Sequence, residues 1–412
     1  MAGGPPPPRA SGAGRRPPVI RDERDRRDHR AGRYEPPPPP RGGGRDRGGP
    51  GPLPRDRRDR DRDRDRDRDR DPYRGGPGPS GLRASAPAFK PRRAAAAEEE
   101  QEAGELEEKQ GPSLRHAEVR ELHGHRNRVF TVGWSCDGGK LASGSLDSTA
   151  RVWGADPSGQ YRFLKELKGH TDGVDGLCWD PRNRDRLATA SADKSVRFWD
   201  VRSGKSVAKV ATRGPNLNVA WHPDGSTLAV GDRNDVISFV DTRKFRVAKT
   251  LENRYEVNEM AWSPAADLFL ITTEYGTVEV YRSPGMKRLK SLPAHTSHCT
   301  CVAFDNSDRY FAVGGSDALV SLWDVESMAC TRTYMKLDKP IKSVGFSHDG
   351  RYLAYASDDA LIDVADVRTG ETVKQLACKG SVPEKLAWNP KHLAFAFAGG
   401  GGDFPVSVVT PN

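Results

Sequence analysis

The sequence predicts an all-β fold: a seven-bladed β-propeller at residues 113–412, preceded by a long low-complexity tail at residues 1–112. Within residues 167–200, three short apolar runs alternate with period two and are separated by turn residues, which is typical of strands joined by tight turns. A sheet this small cannot bury both of its faces alone and needs copies of itself alongside. The copies are marked by aromatic residues that recur every 41 to 45 positions: Trp134, Trp179, Trp221, Trp262, Phe304, Phe346 and Trp388.

The better-preserved repeats are punctuated by Gly-His near the start and Trp-Asp near the end, as in Gly169-His170 and Trp199-Asp200. This punctuation and period resemble the WD40 repeat, which builds propeller blades of four strands. In that family a His, a Ser or Thr, an Asp and a Trp form a buried hydrogen-bonded tetrad, in which every polar atom needs a partner. The resemblance implies this structural role for residues of the first, second and fifth repeats: His125, Ser143, Asp147, Trp153, His170, Thr189, Asp193, Trp199, His295, Asp317 and Trp323.

Several repeats depart from this pattern. The fifth has Val313 where the tetrad hydroxyl is expected. Three others carry a different pair in place of Trp-Asp, namely Val240-Asp241, Tyr281-Arg282 and Ala365-Asp366. A missing tetrad weakens one blade without changing the architecture, so the prediction of seven blades stands.

The seventh repeat has room for three strands and lacks a fourth. After the run 393–398 come four glycines, then the apolar stretch Val406–Val409. The apolar alternation in Leu114–Leu122 precedes the first Gly-His, where an outermost strand is expected. We therefore expect Leu114–Leu122 to close the ring as the fourth strand of the last blade, which removes two open sheet edges.

Residues 1–112 are rich in Pro, Gly, Arg and Asp, including an Arg-Asp run at 60–71, and we expect this tail to be disordered. Residues 94–109 have high helix propensity and form either a short helix or a solvated linker. The tail has 27 basic and 21 acidic residues, which leaves 39 and 36 of the chain's 66 and 57 for the propeller. An Arg-rich arm favours weak, non-specific RNA contact, whereas alternating Arg and Asp favour plain solvation.

The motifs of known catalytic sites are missing from the sequence, so we expect no enzyme activity and no cofactor. The sequence contains no nucleophile elbow, P-loop, dinucleotide fingerprint or HExxH motif. The His–Asp–Ser sets recur once per blade in the same order, which is typical of tetrads rather than hydrolase triads. There is also no apolar run of membrane length, which favours a soluble, intracellular protein without membrane contact.

One cluster contains metal-ligand residue types, namely His295, His298, Cys299 and Cys301. However, His295 stands at the Gly-His position, and the two cysteines alternate onto one side of a strand. We therefore expect packing and no metal site. The six cysteines are expected to be reduced.

Six stretches also resemble the THO complex subunit 3 family, at positions that the generic blade pattern does not dictate: 134–153, 172–181, 219–241, 255–262, 314–325 and 346–371. The resemblance implies a non-catalytic nuclear scaffold that couples transcription to mRNA packaging and export. It also implies other THO subunits and, through them, mRNA export factors as partners. The tail and the Gly-rich seventh repeat depart from the family pattern.

Two alternative functions remain open. The segment Trp199–Arg202 resembles the WDxR box by which some propellers dock on cullin-based ubiquitin ligases as substrate receptors, with Arg202 as the candidate partner contact. The other alternative is general RNA binding through the basic tail. Such binding would weaken steeply with salt.

Overall fold

The computed structural model describes residues 114–156, 160–378, 382–399 and 404–411. These residues form 28 strands, numbered β1 to β28 in chain order, which pair into seven four-stranded antiparallel sheets. The seven-bladed propeller is thereby confirmed. The predictions for the tail at 1–112, including the helix at 94–109, lie outside the described residues.

Each sheet is one blade with the same order of strands from the channel outwards. The innermost strands are β2 (Val129–Trp134), β6 (Val174–Trp179), β10 (Asn216–Trp221), β14 (Val257–Trp262), β18 (Cys299–Phe304), β22 (Ile341–Phe346) and β26 (Pro383–Trp388). The second strands are β3 (Lys140–Ser145), β7 (Arg186–Ser191), β11 (Thr227–Asp232), β15 (Leu268–Thr273), β19 (Tyr310–Gly315), β23 (Tyr352–Ser357) and β27 (Phe395–Gly399). The third strands are β4 (Thr149–Ala155), β8 (Ser195–Asp200), β12 (Val236–Asp241), β16 (Thr277–Arg282), β20 (Val320–Asp324), β24 (Leu361–Asp366) and β28 (Val406–Thr410). The outermost strands are β5 (Tyr161–Lys168), β9 (Lys205–Ala211), β13 (Arg246–Glu252), β17 (Lys287–Pro293), β21 (Ala329–Tyr334), β25 (Thr372–Ala377) and β1 (Glu118–Leu122).

The aromatic residues that mark the repeat each end an innermost strand. Four of the five tryptophans among them join neighbouring blades, and Trp221 donates within its own blade. Trp179 Nε1 donates to the Gly133 carbonyl of the preceding blade at 2.9 Å. Trp134 Nε1 donates in the same way to Ala387 O of the last blade, at 3.0 Å. An indole N–H buried at a blade junction needs an acceptor, and the adjacent strand supplies one.

The hydrophobic core lies between neighbouring blades. Ala142 and Val152 of the first blade pack with Leu177, Trp179 and Leu187 of the second, and all five are at least nine-tenths buried. Because each blade buries its face against the next, the stability of one blade depends on its neighbours.

The ring is closed by the segment that precedes the first repeat, as predicted. Strand β1 pairs antiparallel with β28, from Glu118 opposite Thr410 to Leu122 opposite Val406. One detail differs, because Leu114–His116 form a single turn of 3-10 helix and the strand begins at Glu118. Leu114 is 1% exposed, so this turn anchors the segment to the core.

Candidate functional site

Four side chains of the second blade form a hydrogen-bonded network. His170 Nδ1 lies 2.9 Å from Asp193 Oδ2, in the turn between β7 and β8. Thr189 Oγ1 lies 2.8 Å from His170 Nε2 and accepts a hydrogen bond from Trp199 Nε1, also at 2.8 Å. The Asp193 carboxylate can only accept, so Nδ1–H donates to it, and in the neutral imidazole the threonine hydroxyl donates to Nε2.

The first blade repeats this geometry. His125 lies 2.9 Å from Asp147 and 2.8 Å from Ser143 Oγ, which accepts from Trp153 Nε1 at 3.2 Å. Ser143 has no exposed surface, and its oxygen is already engaged by the indole. The serine cannot reach a substrate, so the arrangement supports packing and offers no nucleophile.

A glycine precedes the histidine in both networks for a steric reason. Gly124 and Gly169 have φ of +141° and +157°, which L side chains rarely adopt. A Cβ on Gly169 would also lie 3.0 Å from the guanidinium of Arg197, which donates to the Gly169 carbonyl.

Electrostatics favour a neutral histidine beside an ionised aspartate. Burial lowers the pKa of His170, and the nearby Asp193 only partly offsets this. Burial alone would raise the pKa of Asp193, but hydrogen bonds from Ser195 and His170 outweigh it and lower that pKa. Asp147 behaves in the same way, with donors that include His125 and a pKa well below its usual range.

The fifth blade completes its network with a residue that the sequence reasoning missed. His295 Nδ1 lies 3.0 Å from Asp317 Oδ1. Since Val313 has no hydroxyl, Ser321 of the third strand supplies one, 2.9 Å from His295 Nε2. Trp323 Nε1 donates to the same oxygen at 2.8 Å. The available signal was a small hydroxyl residue two positions before the tryptophan, where the first two blades carry arginine.

The same third-strand position holds a buried carboxylate in two blades without Trp-Asp. In the fourth blade, Glu279 accepts hydrogen bonds from Ser291 Oγ at 2.6 Å and Thr277 Oγ1 at 3.0 Å. Its second oxygen lies 2.5 Å from Arg288 Nε. These contacts replace the tetrad with a different polar network.

In the sixth blade, Asp363 is fully buried and accepts from Tyr355 OH at 2.7 Å and Thr372 Oγ1 at 3.2 Å. Burial raises the pKa of this carboxyl despite those two donors. Ionisation of Asp363 therefore lowers the stability of the folded state.

The histidine and cysteine cluster near residue 298 lies in and before β18. Cys299 and Cys301 are buried, and burial raises the pKa of each thiol to about 12. His295 is engaged in its tetrad, as above. Within the part of the chain that the structure describes, no group of three or more His, Cys, Asp or Glu residues could hold a metal ion. No helix in that part is long and apolar enough to cross a membrane.

Arg202 lies in the loop between β8 and β9, with 74% of its side chain exposed. Its Nε is 3.5 Å from Asp200 Oδ1 and 3.7 Å from Asp185 Oδ2. The guanidinium is thus available at the surface but lies against two carboxylates of its own blade.

The central channel contains an ion pair that the sequence did not predict. Lys385 of β26 contacts Glu259 of β14, so the pair joins the seventh blade to the fourth. Burial opposes the charge on Lys385, but Glu259 outweighs that effect and raises the pKa of the ammonium group. The pair bridges the channel and adds a contact between blades that are not neighbours.

WD40-repeat β-propellers are the class that this architecture and its tetrads define. Residues 125–398 match the family described as the THOC3 beta-propeller domain. That match covers more than half of the chain, and the chain belongs to the THO complex subunit 3 family.

Individual relatives agree with this assignment. The chain is 49% identical over 281 residues to THO complex subunit 3 of Arabidopsis thaliana, covering 68% of this chain and 89% of that protein. It is 34% identical over 304 residues to WD repeat-containing protein AAC3 of Dictyostelium discoideum, covering 68% of this chain and 63% of that protein. It is 24% identical over 244 residues to eukaryotic translation initiation factor 3 subunit I of Kluyveromyces lactis, covering 54% and 68%.

Proposed function

We propose that this chain is a non-catalytic scaffold subunit of the THO complex in the nucleus, coupling transcription to mRNA packaging and export. The supporting observation is its membership of the THO complex subunit 3 family, matched over residues 125–398. Its direct partners are other THO subunits, and export factors join through them. No cofactor takes part in this function.

The physical chemistry of the propeller supports a binding role. The His–Asp–hydroxyl sets are buried and fully engaged in hydrogen bonds, which leaves them unsuited to acid–base work on a substrate. A closed ring of antiparallel sheets is rigid and presents many loops and strand edges to partners. Function then resides in those surfaces rather than in a reactive centre.

The test is affinity purification from nuclease-treated nuclear extract, using the full chain and residues 113–412 in parallel. We expect both forms to recover the other THO subunits, since the propeller carries the binding surfaces. Recovery of no THO subunit by either form would overturn the proposal. Recovery by the full chain alone would move the binding site to the tail.

The exposure of Arg202 supports a second candidate, a substrate receptor of a cullin-based ubiquitin ligase. The same purification separates the two functions, because a ligase linker protein would be recovered and then lost on Arg202→Ala. If the linker protein is absent, or its recovery is unchanged by Arg202→Ala, this candidate fails.

RNA binding through the tail remains a prediction from the sequence, since residues 1–112 lie outside the described residues. It predicts that removing them abolishes a steeply salt-dependent RNA affinity. An unchanged affinity after their removal would exclude this function for the tail.

A further inference from the structure

The rim of the propeller carries its charge unevenly. In the fourth blade, residues 281–293 contain four basic residues and no acidic one. In the third, residues 241–252 contain four basic and two acidic residues. The corresponding segment of the fifth blade, 324–334, has one basic and two acidic residues, as does Glu118–Leu122 of the seventh, whereas residues 200–211 of the second have three basic and one acidic. We call the eight basic residues of the third and fourth blades the basic strip: Arg243, Lys244, Arg246, Lys249, Arg282, Lys287, Arg288 and Lys290.

All eight side chains of the basic strip are exposed. Arg288 forms an ion pair with the buried Glu279. Among the described residues, the other seven have no carboxylate within ion-pair distance. The strip therefore carries a net positive charge, which is reduced by Glu279 beside Arg288 and by Asp241 near Lys244 and Arg246.

The register of the outer strands places like charges side by side in the fourth blade. In the second and third blades, the aspartate that ends the third strand stands opposite a basic residue, as Asp241 does opposite Arg246. In the fourth blade Arg282 replaces that aspartate and stands opposite Lys287. Like charges directly opposite each other destabilise a sheet, and a bound anion would relieve this.

The strip is continuous across the junction between the two blades. Lys249 of β13 donates a hydrogen bond from Nζ to the Gly285 carbonyl, in the loop between β16 and β17, at 3.1 Å. The basic residues of both blades thus lie on one stretch of the rim.

We propose that the basic strip binds the phosphate backbone of RNA. A protein partner would need an apolar centre with large anchors, yet Leu289 is the exposed large hydrophobic residue on β13 and β17. Lysine and arginine side chains without stacking aromatics contact phosphates and do not read bases, so the binding is independent of sequence. The geometry alone supports binding of a polyanion. The choice of RNA as that polyanion rests on the proposed function.

The test measures binding of a single-stranded RNA to the purified full chain as a function of salt concentration. The variant Arg282→Gln/Lys287→Gln/Lys290→Gln removes three charges of the strip. We expect it to bind roughly 10- to 50-fold more weakly at 150 mM salt, and the slope of log Kd against log salt to fall by about 2. Thermal unfolding should be unimpaired, because the substitution relieves the repulsion between Arg282 and Lys287.

The matched control is Arg162→Gln/Lys165→Gln/Lys168→Gln on β5, which removes the same charge from the first blade. We expect this variant to keep the wild-type slope. Equal losses in the two variants, or no loss in either, would overturn the proposal. Binding of an acidic peptide that depends on the strip, with RNA binding unaffected by it, would assign the strip to a protein instead.

Failure of this proposal is distinguishable from failure of the proposed function. RNA binding is measured on the chain alone, and recovery of THO subunits is measured in extract with the same strip variant. Lost RNA affinity with unchanged recovery of THO subunits supports both proposals. Unchanged RNA affinity overturns only the role of the strip.

Discussion

At the scale of single residues, Trp199 and Arg202 lie three positions apart and have opposite surroundings. Trp199 is 1% exposed and donates to Thr189, whereas most of the Arg202 side chain is exposed. We expect Trp199→Ala to lower the free energy of unfolding by roughly 3–5 kcal/mol. Arg202→Ala should change it by no more than about 0.5 kcal/mol. Urea denaturation of both variants checks this, and the reverse ranking would contradict the assigned register.

Ser321 gives a second prediction at this scale. Ser321→Ala leaves Trp323 Nε1 without its acceptor and removes one partner of His295 Nε2, whose other partner is the Val313 carbonyl oxygen at 3.1 Å. Because buried polar atoms without partners are costly, we expect a loss of about 1–3 kcal/mol in the free energy of unfolding. Ser327→Ala, at an exposed serine bonded to Asp324, is the matched control and should be nearly neutral. Equal effects in the two variants would show that Ser321 is not part of the network.

The buried carboxylates predict opposite responses to amidation. Burial raises the pKa of Asp363, so its ionised form costs stability above that pKa, and the cost vanishes below the ordinary value of 3.8. Asp363→Asn should therefore stabilise the protein at pH 7, and the gain should shrink as the pH falls towards 3.8. Asp193 has a lowered pKa, so its carboxylate stabilises above 3.8 and loses that effect at lower pH. Asp193→Asn should destabilise the protein at pH 7. Denaturation series from pH 4 to 8 check both variants. A shift of stability in the same direction for both would contradict this reasoning.

Histidine protonation adds to the acid sensitivity. The pKa of His170 is lowered below its ordinary value of 6.5, so the unfolded chain binds the proton first. Stability is therefore lost as the pH falls below about 6.5 and is fully present above it. The same denaturation series should show this loss, and a curve flat from pH 7 to the folded pKa of His170 would contradict it.

Sequence reasoning identified the tetrad residues of the first two blades because His, hydroxyl, Asp and Trp recur there at matching spacing. It missed Ser321, since the hydroxyl comes from the neighbouring strand and not from the expected position of Val313. It also missed Glu279 and Asp363. They occupy the same position of the third strand as Ser321 but differ from it in residue type. The pairing between strands decides which polar atoms come into contact within a blade. The spacing of residues along the sequence does not specify that pairing.

At the scale of elements, the closing strand β1 holds the ring together. Deleting residues 114–122 would expose the edge of β28 and the apolar residues Val406–Val409 behind it. We expect this deletion to cause aggregation or unfolding, measured by light scattering and thermal denaturation. Deletion of residues 1–112 is the control and should leave the melting temperature unchanged. Unchanged melting without 114–122 would contradict closure by this strand.

A single substitution tests the contribution of the buried Leu114 side chain separately from that of strand β1. Leu114→Ala removes a fully buried side chain ahead of β1, and we expect a loss of about 2–5 kcal/mol in the free energy of unfolding. Val119 is 47% exposed on the strand itself, so Val119→Ala should cost much less. Equal costs in urea denaturation would show that the anchor contributes little to closure.

The strands could be predicted because period-two alternation and the aromatic marks repeat seven times, and each mark ends an innermost strand. Closure by the N-terminal segment followed from counting, since the seventh repeat lacked one strand. The 3-10 turn at Leu114–His116 was not predictable, because its apolar pattern also fits an extended strand. Tertiary contacts decide between those two local conformations.

At the scale of the whole molecule, the net charges of the tail and of the propeller can be counted from the sequence, but the location of that charge cannot. Only the assignment of outer strands reveals that the third and fourth blades hold the basic strip. The ion pair between Glu259 and Lys385 was equally hidden, because its partners are 126 residues apart and meet only across the channel. Partner-binding surfaces of a propeller are set by such three-dimensional groupings.

We propose that the propeller acts in mRNA export as a closed ring. The most direct measurement is the nuclear-to-cytoplasmic ratio of polyadenylated RNA in cells depleted of this chain. Depletion should raise that ratio, residues 113–412 should restore it, and the form lacking residues 114–122 should not. An unchanged ratio after depletion, or restoration only by forms that contain residues 1–112, would contradict the claim.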